Sequence, residues 1–340
     1  MSFVDIRFCQ VEEIDLLQQY LKNNWQHDHV FVKSRQLLTW LHQSSDNNLN
    51  YVIAVNEIGE IVGSLGFNST THFDNQLSKS AVDVWLALWK ANNEYPGVGF
   101  AMLRFIEEEI NPVSIGAIGI NDPVEKNYNL LGFKSGFWDQ YFFLNTKIID
   151  FKIASILEIN ITTNDKRNVD SSRQQIKIIK DLNLLTNTPK PIYKPLKSVN
   201  YFINRYTKHP FYKYQIWGIY KEDEIICLLV TRKINVNESF CIRILDVLGD
   251  LSQVENLSAE FDQILQKENA EYIDFINYGI NEDVFYKIGL QKRTTDNIII
   301  PNYFEPFVQS NINIKFAYKS QDEPYTIFKG DADQDRPNIL

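Results

Sequence analysis

The chain has 340 residues, with 34 lysines and arginines against 43 aspartates and glutamates, for a net charge of −9. Hydrophobic residues make up 44% and charged residues 23%, which excludes a largely disordered chain, and the length suggests two domains. The acidic surplus disfavours non-specific nucleic-acid binding, and no apolar run approaches the roughly 18 residues of a membrane helix.

The first half alternates strand and helix. Phe3 to Cys9 alternates like a strand, and Ile14, Leu16, Leu17 and Leu21 fall at helical spacing, as do Leu37, Leu38 and Leu41. Tyr51–Val55 and Ile61–Phe67 predict two strands around a turn at residues 56–60. Val82 to Trp89 predicts another strand. A helix follows, with Met102, Leu103, Ile106 and Ile110 on its apolar face. Val113–Ile120 predicts a strand, Val124–Leu131 a short helix, and Phe133–Leu144 an aromatic strand.

The second half repeats this order. Tyr214–Ile219, Glu224–Thr231 and Phe240–Val247 predict strands, and Leu257, Phe261, Ile264 and Leu265 mark a helix. Tyr272–Asn277 predicts a strand, Glu282–Ile288 a helix, and Gln291–Ile300 a last strand. Gly119-Ile120-Asn121 before Gly132 is echoed by Gly279-Ile280-Asn281 before Gly289, about 160 residues on. These landmarks imply an internal duplication. The boundary is expected between Asn145 and Ser198, where Thr162–Gln175 and Thr188–Leu196 read as loop.

The motif that carries chemistry is Glu94-Tyr95-Pro96-Gly97-Val98-Gly99-Phe100-Ala101, between a strand and a helix. Two glycines permit a tight, left-handed turn. The first-turn amides of the helix lack intrahelical partners and, with the helix dipole, form a receptor for a pyrophosphate. Tyr128 stands four residues before Gly132-Phe133.

This order of elements and motifs resembles the GNAT N-acyltransferase superfamily. The resemblance implies an α/β (α+β) fold of tandem GNAT-like domains, each a mixed twisted sheet flanked by helices. It implies that Gly97, Val98, Gly99, Phe100 and Ala101 take the pyrophosphate of coenzyme A. Leu86, Leu88 and Lys90 would meet the pantetheine arm, Asn121 would also bind the cofactor, and Tyr128 would protonate or contact the departing thiolate. The chain departs from the family at Glu94, where Arg or Gln is usual. In the second half Leu248-Gly249-Asp250-Leu251 lacks a second glycine, Asp250 would repel a pyrophosphate, and Phe285 replaces the tyrosine. One acyl-CoA site is therefore expected, in the first half. The tail Ile327 to Asn338 looks like that of double-GNAT sugar N-acyltransferases from polysaccharide-biosynthesis clusters. These act on nucleotide-linked amino-deoxy sugars; one relative uses 3-hydroxybutyryl-CoA with dTDP-3-amino-3,6-dideoxygalactose.

Acyl transfer needs a neutral amine, a polarised carbonyl and a stabilised leaving thiolate. Asp83, at the start of the strand before the glycine turn, is a candidate base. Trp25, His27 and His29 are candidate substrate contacts from the loop after the first helix; a metal there is not expected. Arg205, Tyr206, Lys208 and His209 group cations with aromatics, as a nucleotide diphosphate sugar requires. Cys9, Cys227 and Cys241 show no disulfide or metal spacing, and residues 1–5 carry no signal-peptide pattern, so a cytoplasmic protein with reduced thiols is expected.

The expected organisation is an acyl-CoA-binding domain at 1–150, a degenerate nucleotide-sugar-binding domain at 151–310, and a tail at 311–340. The expected activity is direct acyl transfer to the amine of a dTDP-linked amino-dideoxy sugar for O-antigen or capsule synthesis, with no metal, nucleic acid or membrane insertion. A non-catalytic double-GNAT binding protein and an aminoacyl or peptidyl transferase of the cell-wall type are the alternatives.

Overall fold

The computed structural model describes residues 3–44, 47–74, 77, 82–156, 174–294 and 297–339. The principal elements of the first half are β1 (Val4–Gln10), α1 (Ile14–Asn24), α2 (Val30–Lys33), α3 (Arg35–His42), β2 (Asn48–Asn56), β3 (Ile61–Ser69), β4 (Asp83–Ala91), α4 (Val98–Ile110), β5 (Ser114–Ile118), α5 (Asp122–Leu130) and β6 (Lys134–Phe137). There follow β7 (Asp139–Leu144), β8 (Gln174–Ile179), β9 (Gln215–Lys221), β10 (Glu224–Val236), β11 (Ser239–Gly249), α6 (Ser258–Glu268), β12 (Ala270–Tyr278), α7 (Glu282–Ile288), β13 (Gln291–Lys292), β14 (Lys315–Ser320) and β15 (Ile327–Phe328).

The duplication is visible in the strand orders. One sheet runs β1-β2-β3-β4-β5-β14-β6 and the other β8-β9-β10-β11-β12-β7-β13. In each, the third-to-fourth-strand pairing is antiparallel and the fourth-to-fifth is parallel. The sixth position is exchanged: β14, from the end of the chain, pairs with β5, whereas β7, from the first half, pairs with β12. The expected single strand Phe133–Leu144 is thus two strands in different sheets, and the expected final strand Gln291–Ile300 is broken after Lys292.

The exchange determines the units. One comprises 1–136, 315–322 and 332–340, and the other 137–314 and 323–331. The segment 311–340, expected as a separate tail, is divided between them. Of the expected loop Thr162–Gln175, residues 162–173 lie outside the described residues, while Gln174 and Gln175 belong to β8.

In the first unit α4 packs Val98, Met102, Leu103 and Ile106 against Val52, Ala54, Val62 and Leu65 of the sheet. Gly63 lets the helix pack closely there: a Cβ on it would lie 3.0 Å from the Met102 methyl. In the second unit α6 supplies Phe261 and Leu265 to a core that includes Trp217, Leu229 and Phe275. Arg243 is buried in this unit and pairs with Asp274, Nη2 to Oδ2 at 2.6 Å. No helix among the described residues is long and apolar enough to cross a membrane.

Candidate functional site

The site is made by two strands that part. β4 and β5 pair only from Asp83–Ser114 to Leu86–Ala117. Just beyond, β4 is bulged: Ser64 faces Lys90 and Gly66 faces Ala87, so Leu88 and Trp89 stand opposite the single residue Leu65. Leu88 takes a left-handed φ of 48°, which an L-residue adopts only under constraint. The bulge ends the parallel pairing and re-aims the backbone into the opening.

α4 starts at the same opening. Gly97 is its N-cap, at φ 87°, and no atom lies within 4 Å of where its Cβ would be. The loop before it is tied down: the Tyr20 hydroxyl donates to Asn92 Oδ1 at 3.0 Å, Asn56 Nδ2 donates to the Tyr95 hydroxyl at 3.3 Å, and the Val98 amide donates to the Tyr95 carbonyl. Val98 spends its amide on that carbonyl, which leaves the Gly99 and Phe100 amides of the first turn, both at the cavity wall, without intrahelical partners.

A cavity of about 540 Å³ fills the splay. Its walls are Leu86–Trp89 of β4, the loop to Gly97, Gly99 and Phe100 of α4, Ala117–Ile120 at the end of β5 and just beyond it, Tyr128 of α5, and Trp25. The tail adds Asp333, Gln334 and Arg336. Gln334 lies over Gly119 and donates from Nε2 to the Ile118 carbonyl at 3.4 Å.

Of the expected residues, Trp25, Leu86, Leu88, Gly97, Gly99, Phe100, Asn121 and Tyr128 line the cavity. The Asn121 side chain caps α5 by accepting from the Val124 amide at 3.0 Å. Val98 sends its side chain into the core, while Ala101 and Lys90 lie outside the cavity lining. Tyr128 is buried, and burial raises its pKa well above that of a free phenol. Its hydroxyl makes no hydrogen bond among the described residues. It therefore stays protonated and can donate.

Other expected residues lie away from the cavity lining. Asp83 starts β4 at the end remote from the bulge, accepts a 2.5 Å hydrogen bond from Ser114 Oγ, and does not line the cavity. His27 is exposed beside Asp28. His29 is buried as the N-cap of α2: Nδ1 accepts from the Phe31 amide at 3.2 Å, and Nε2 lies 3.2 Å from Arg336 Nη2. A neutral imidazole accepts through only one nitrogen, so these two donors compete for it. Burial, aided by Arg336, lowers its pKa to about 4. Among the described residues no group of three or more His, Cys, Asp or Glu could hold a metal.

In the second unit Arg205, Tyr206 and His209 are buried in and after a π-helical turn. The Tyr206 hydroxyl donates to Asp246 Oδ2 at 2.5 Å, and the His209 ring accepts from the Phe211 and Tyr212 amides. Lys208 is exposed and bonds Asn204. Tyr206 is thus packed inward, and Lys208 is the one of the four that stays exposed.

The second sheet parts as well, but its own chain fills the gap. Parallel pairing of β11 with β12 ends at Ile244–Phe275. Beyond it Gly330 donates to the Leu245 carbonyl, and β15 pairs with Asn277 and Tyr278. Lys197 bridges the buried Asp246 and Asp331. At the turn, the Leu251 amide donates to the Tyr193 hydroxyl, and a Cβ on Gly249 would lie 2.5 Å from the Ile226 carbonyl. Phe285 is stacked on Tyr141.

Trp89, Asp333 and Arg336 were not legible as site residues. Trp89 reads as one more apolar strand position. Asp333 and Arg336 reach the cavity only because the end of the chain returns to the first sheet.

No family model and no curated protein matches the sequence. Solved structures do match it. A GCN5-related N-acetyltransferase from Anabaena variabilis superposes with a TM-score of 0.53 at 11% identity, over 93% of this chain and 72% of its own. One from Kribbella flavida gives 0.53 at 9% identity, over 95% and 73%. The glucosamine N-acetyltransferase region of a fungal multi-domain GH3 β-N-acetylglucosaminidase gives 0.50 at 9% identity, over 94% of this chain and 38% of that one. The fold is that of the GCN5-related N-acetyltransferases, present in two copies.

Proposed function

We propose that this chain is an acyl-CoA-dependent N-acyltransferase with one active cleft, in the first unit. The observation that carries the reading is the meeting of three features at one 540 Å³ cavity: the β4 bulge at Leu88, the open N-terminus of α4 at Gly97, and Tyr128 in its wall. The first-turn amides of α4 hold the pyrophosphate of acyl-CoA through their dipoles. Backbone freed at the bulge pairs with the pantetheine amides and polarises the thioester oxygen. The acceptor amine attacks the thioester carbon directly, and the Tyr128 hydroxyl donates a hydrogen bond to the departing thiolate.

The acceptor in this proposal is the amine of a dTDP-linked amino-dideoxy sugar, with 3-hydroxybutyryl-CoA as acyl donor, in cytoplasmic O-antigen or capsule synthesis. The tail sequence supports it: the segment that resembles double-GNAT sugar N-acyltransferases lines the cavity. The glucosamine activity named for the fungal structure points to the same acceptor class. The test mixes purified protein with short acyl-CoAs and a panel of dTDP-amino sugars. Thiol release that depends on both substrates is expected. Release with acyl-CoA and simple amines alone would retain the acyltransferase and remove the nucleotide sugar; no acyl-CoA binding by calorimetry would remove both.

A further inference from the structure

Among the described residues that line the cavity, Asp333 is the one carboxylate and Arg336 the one cation. Both come from the returning tail. Arg336 is held at four points: Nε donates to Asp333 Oδ2 at 3.0 Å, Nη1 bonds Asn338, Nη2 lies 3.2 Å from His29 Nε2, and the guanidinium lies over the Phe31 ring, 5.1 Å from its centroid. Asp333 is buried, which disfavours its charge, but Arg336 outweighs this and holds the carboxyl below its usual range. The groups that face Asp333 from neighbouring elements are His29 of the α1–α2 loop and His42 of α3, both kept neutral by burial, and the un-ionised Tyr51 of β2. A single fixed negative charge thus borders the same cavity as Tyr128 and the β4 bulge.

We propose that Asp333 is the catalytic carboxylate of the acyl transfer, binding the acceptor amine and taking its proton; this rests on the acyltransferase reading above. The amine lone pair forms the C–N bond at the thioester carbon, and the nitrogen, now far more acidic, passes a proton to the Asp333 carboxylate. The tetrahedral intermediate collapses, breaking the C–S bond. The electron pair leaves with sulfur, held by the Tyr128 hydroxyl, and the thiolate takes a proton from solvent while Asp333 returns its own to solvent. Arg336 is a positioning residue that fixes the carboxylate. Asp83 has no part in the step.

The experiment compares the full-length protein with Asp333→Asn, Asp333→Ser and Asp83→Asn. Acyl-CoA affinity is read by calorimetry, folding by thermal unfolding, and turnover with two acceptors: an amino sugar and hydroxylamine, whose adduct nitrogen is acidic enough to lose its proton to water without a protein base. Either fold-competent Asp333 variant is expected to lose about 100-fold or more in amino-sugar turnover. It should keep acyl-CoA affinity within twofold and lose far less with hydroxylamine; Asp83→Asn should stay near wild type. Amino-sugar turnover within threefold of wild type in either variant would overturn the proposal, as would equal loss with both acceptors. If the wild type itself binds no acyl-CoA, the acyltransferase reading falls instead.

Discussion

Trp89 stands against Tyr128 with 5.3 Å between ring centroids, and its indole N–H donates to the Gly99 carbonyl at 3.2 Å. One side chain of the β4 bulge therefore braces both the proposed pyrophosphate turn and the proposed leaving-group donor. A Cβ on Gly99 would lie 3.2 Å from the same indole nitrogen, so the glycine allows the close approach. Trp89→Ala is expected to weaken acyl-CoA binding roughly tenfold, as the turn loses its brace. It should also lower stability by about 2 kcal/mol, below the usual cost for a fully buried tryptophan because Trp89 is half-buried. Calorimetry and denaturant unfolding check the two effects separately.

Gly99→Asp puts a carboxylate in the first turn of α4, against the proposed pyrophosphate, and is expected to abolish acyl-CoA binding. The matching probe in the second unit is Asp250→Asn, which removes a charge from the filled turn and should leave binding unchanged. Gly249→Asp is a poor control, since its Cβ would collide with the Ile226 carbonyl. Loss of binding in Asp250→Asn would contradict a single cleft.

Tyr128→Phe removes one hydroxyl from a buried ring and keeps its packing against Phe133, 4.9 Å away between centroids. Turnover is expected to fall roughly 10- to 30-fold, the worth of one hydrogen bond to a charged group at about 1.5–2 kcal/mol. Acyl-CoA affinity should not change. Because burial keeps the phenol protonated, the wild type should show no loss of turnover from its ionisation up to pH 10. Steady-state kinetics across pH would reveal a loss that Tyr128→Phe abolishes, if this is wrong.

The two units should respond oppositely to acid. Burial lowers His29 to about 4 and His42 to about 3, so the unfolded chain binds more protons than the folded one below pH 6.5. Their stabilisation of the first unit is complete above pH 6.5 and is lost as pH falls towards 4, on the order of 3 kcal/mol for each. In the second unit burial pushes Asp331 up to about 6 against the pull of Lys197. There the folded state binds the extra proton, so stability falls as pH rises from 4 to 7. Asp331→Asn should gain on wild type by on the order of 2 kcal/mol over that range. His42→Gln should flatten the acid loss. Thermal unfolding of each variant from pH 4 to 8 reads these slopes, and parallel curves for Asp331→Asn and wild type would refute the assignment.

Much of this protein was written locally. Periodicity located most strands and helices of both halves, though not β8 or β14, because each buries one face and the face repeats every two or 3.6 residues. Gly97 and Gly99 marked the turn, since few other residues tolerate its backbone, and Tyr128 followed from its place before Gly132-Phe133. The lack of a second glycine after Gly249 and the presence of Phe285 already distinguished the two halves. The tertiary structure alone decided which strand completes which sheet, because a six-residue strand such as β7 or β14 carries no mark of its partner. It alone buried Arg205 and His209, whose charge reads as surface until their neighbours are known. And it alone brought Asp333 and Arg336 to the cavity, across more than 200 residues of sequence from Tyr128. No local pattern records that approach; it follows from long-range pairing, in which β14 adds to the first sheet and the tail returns with it.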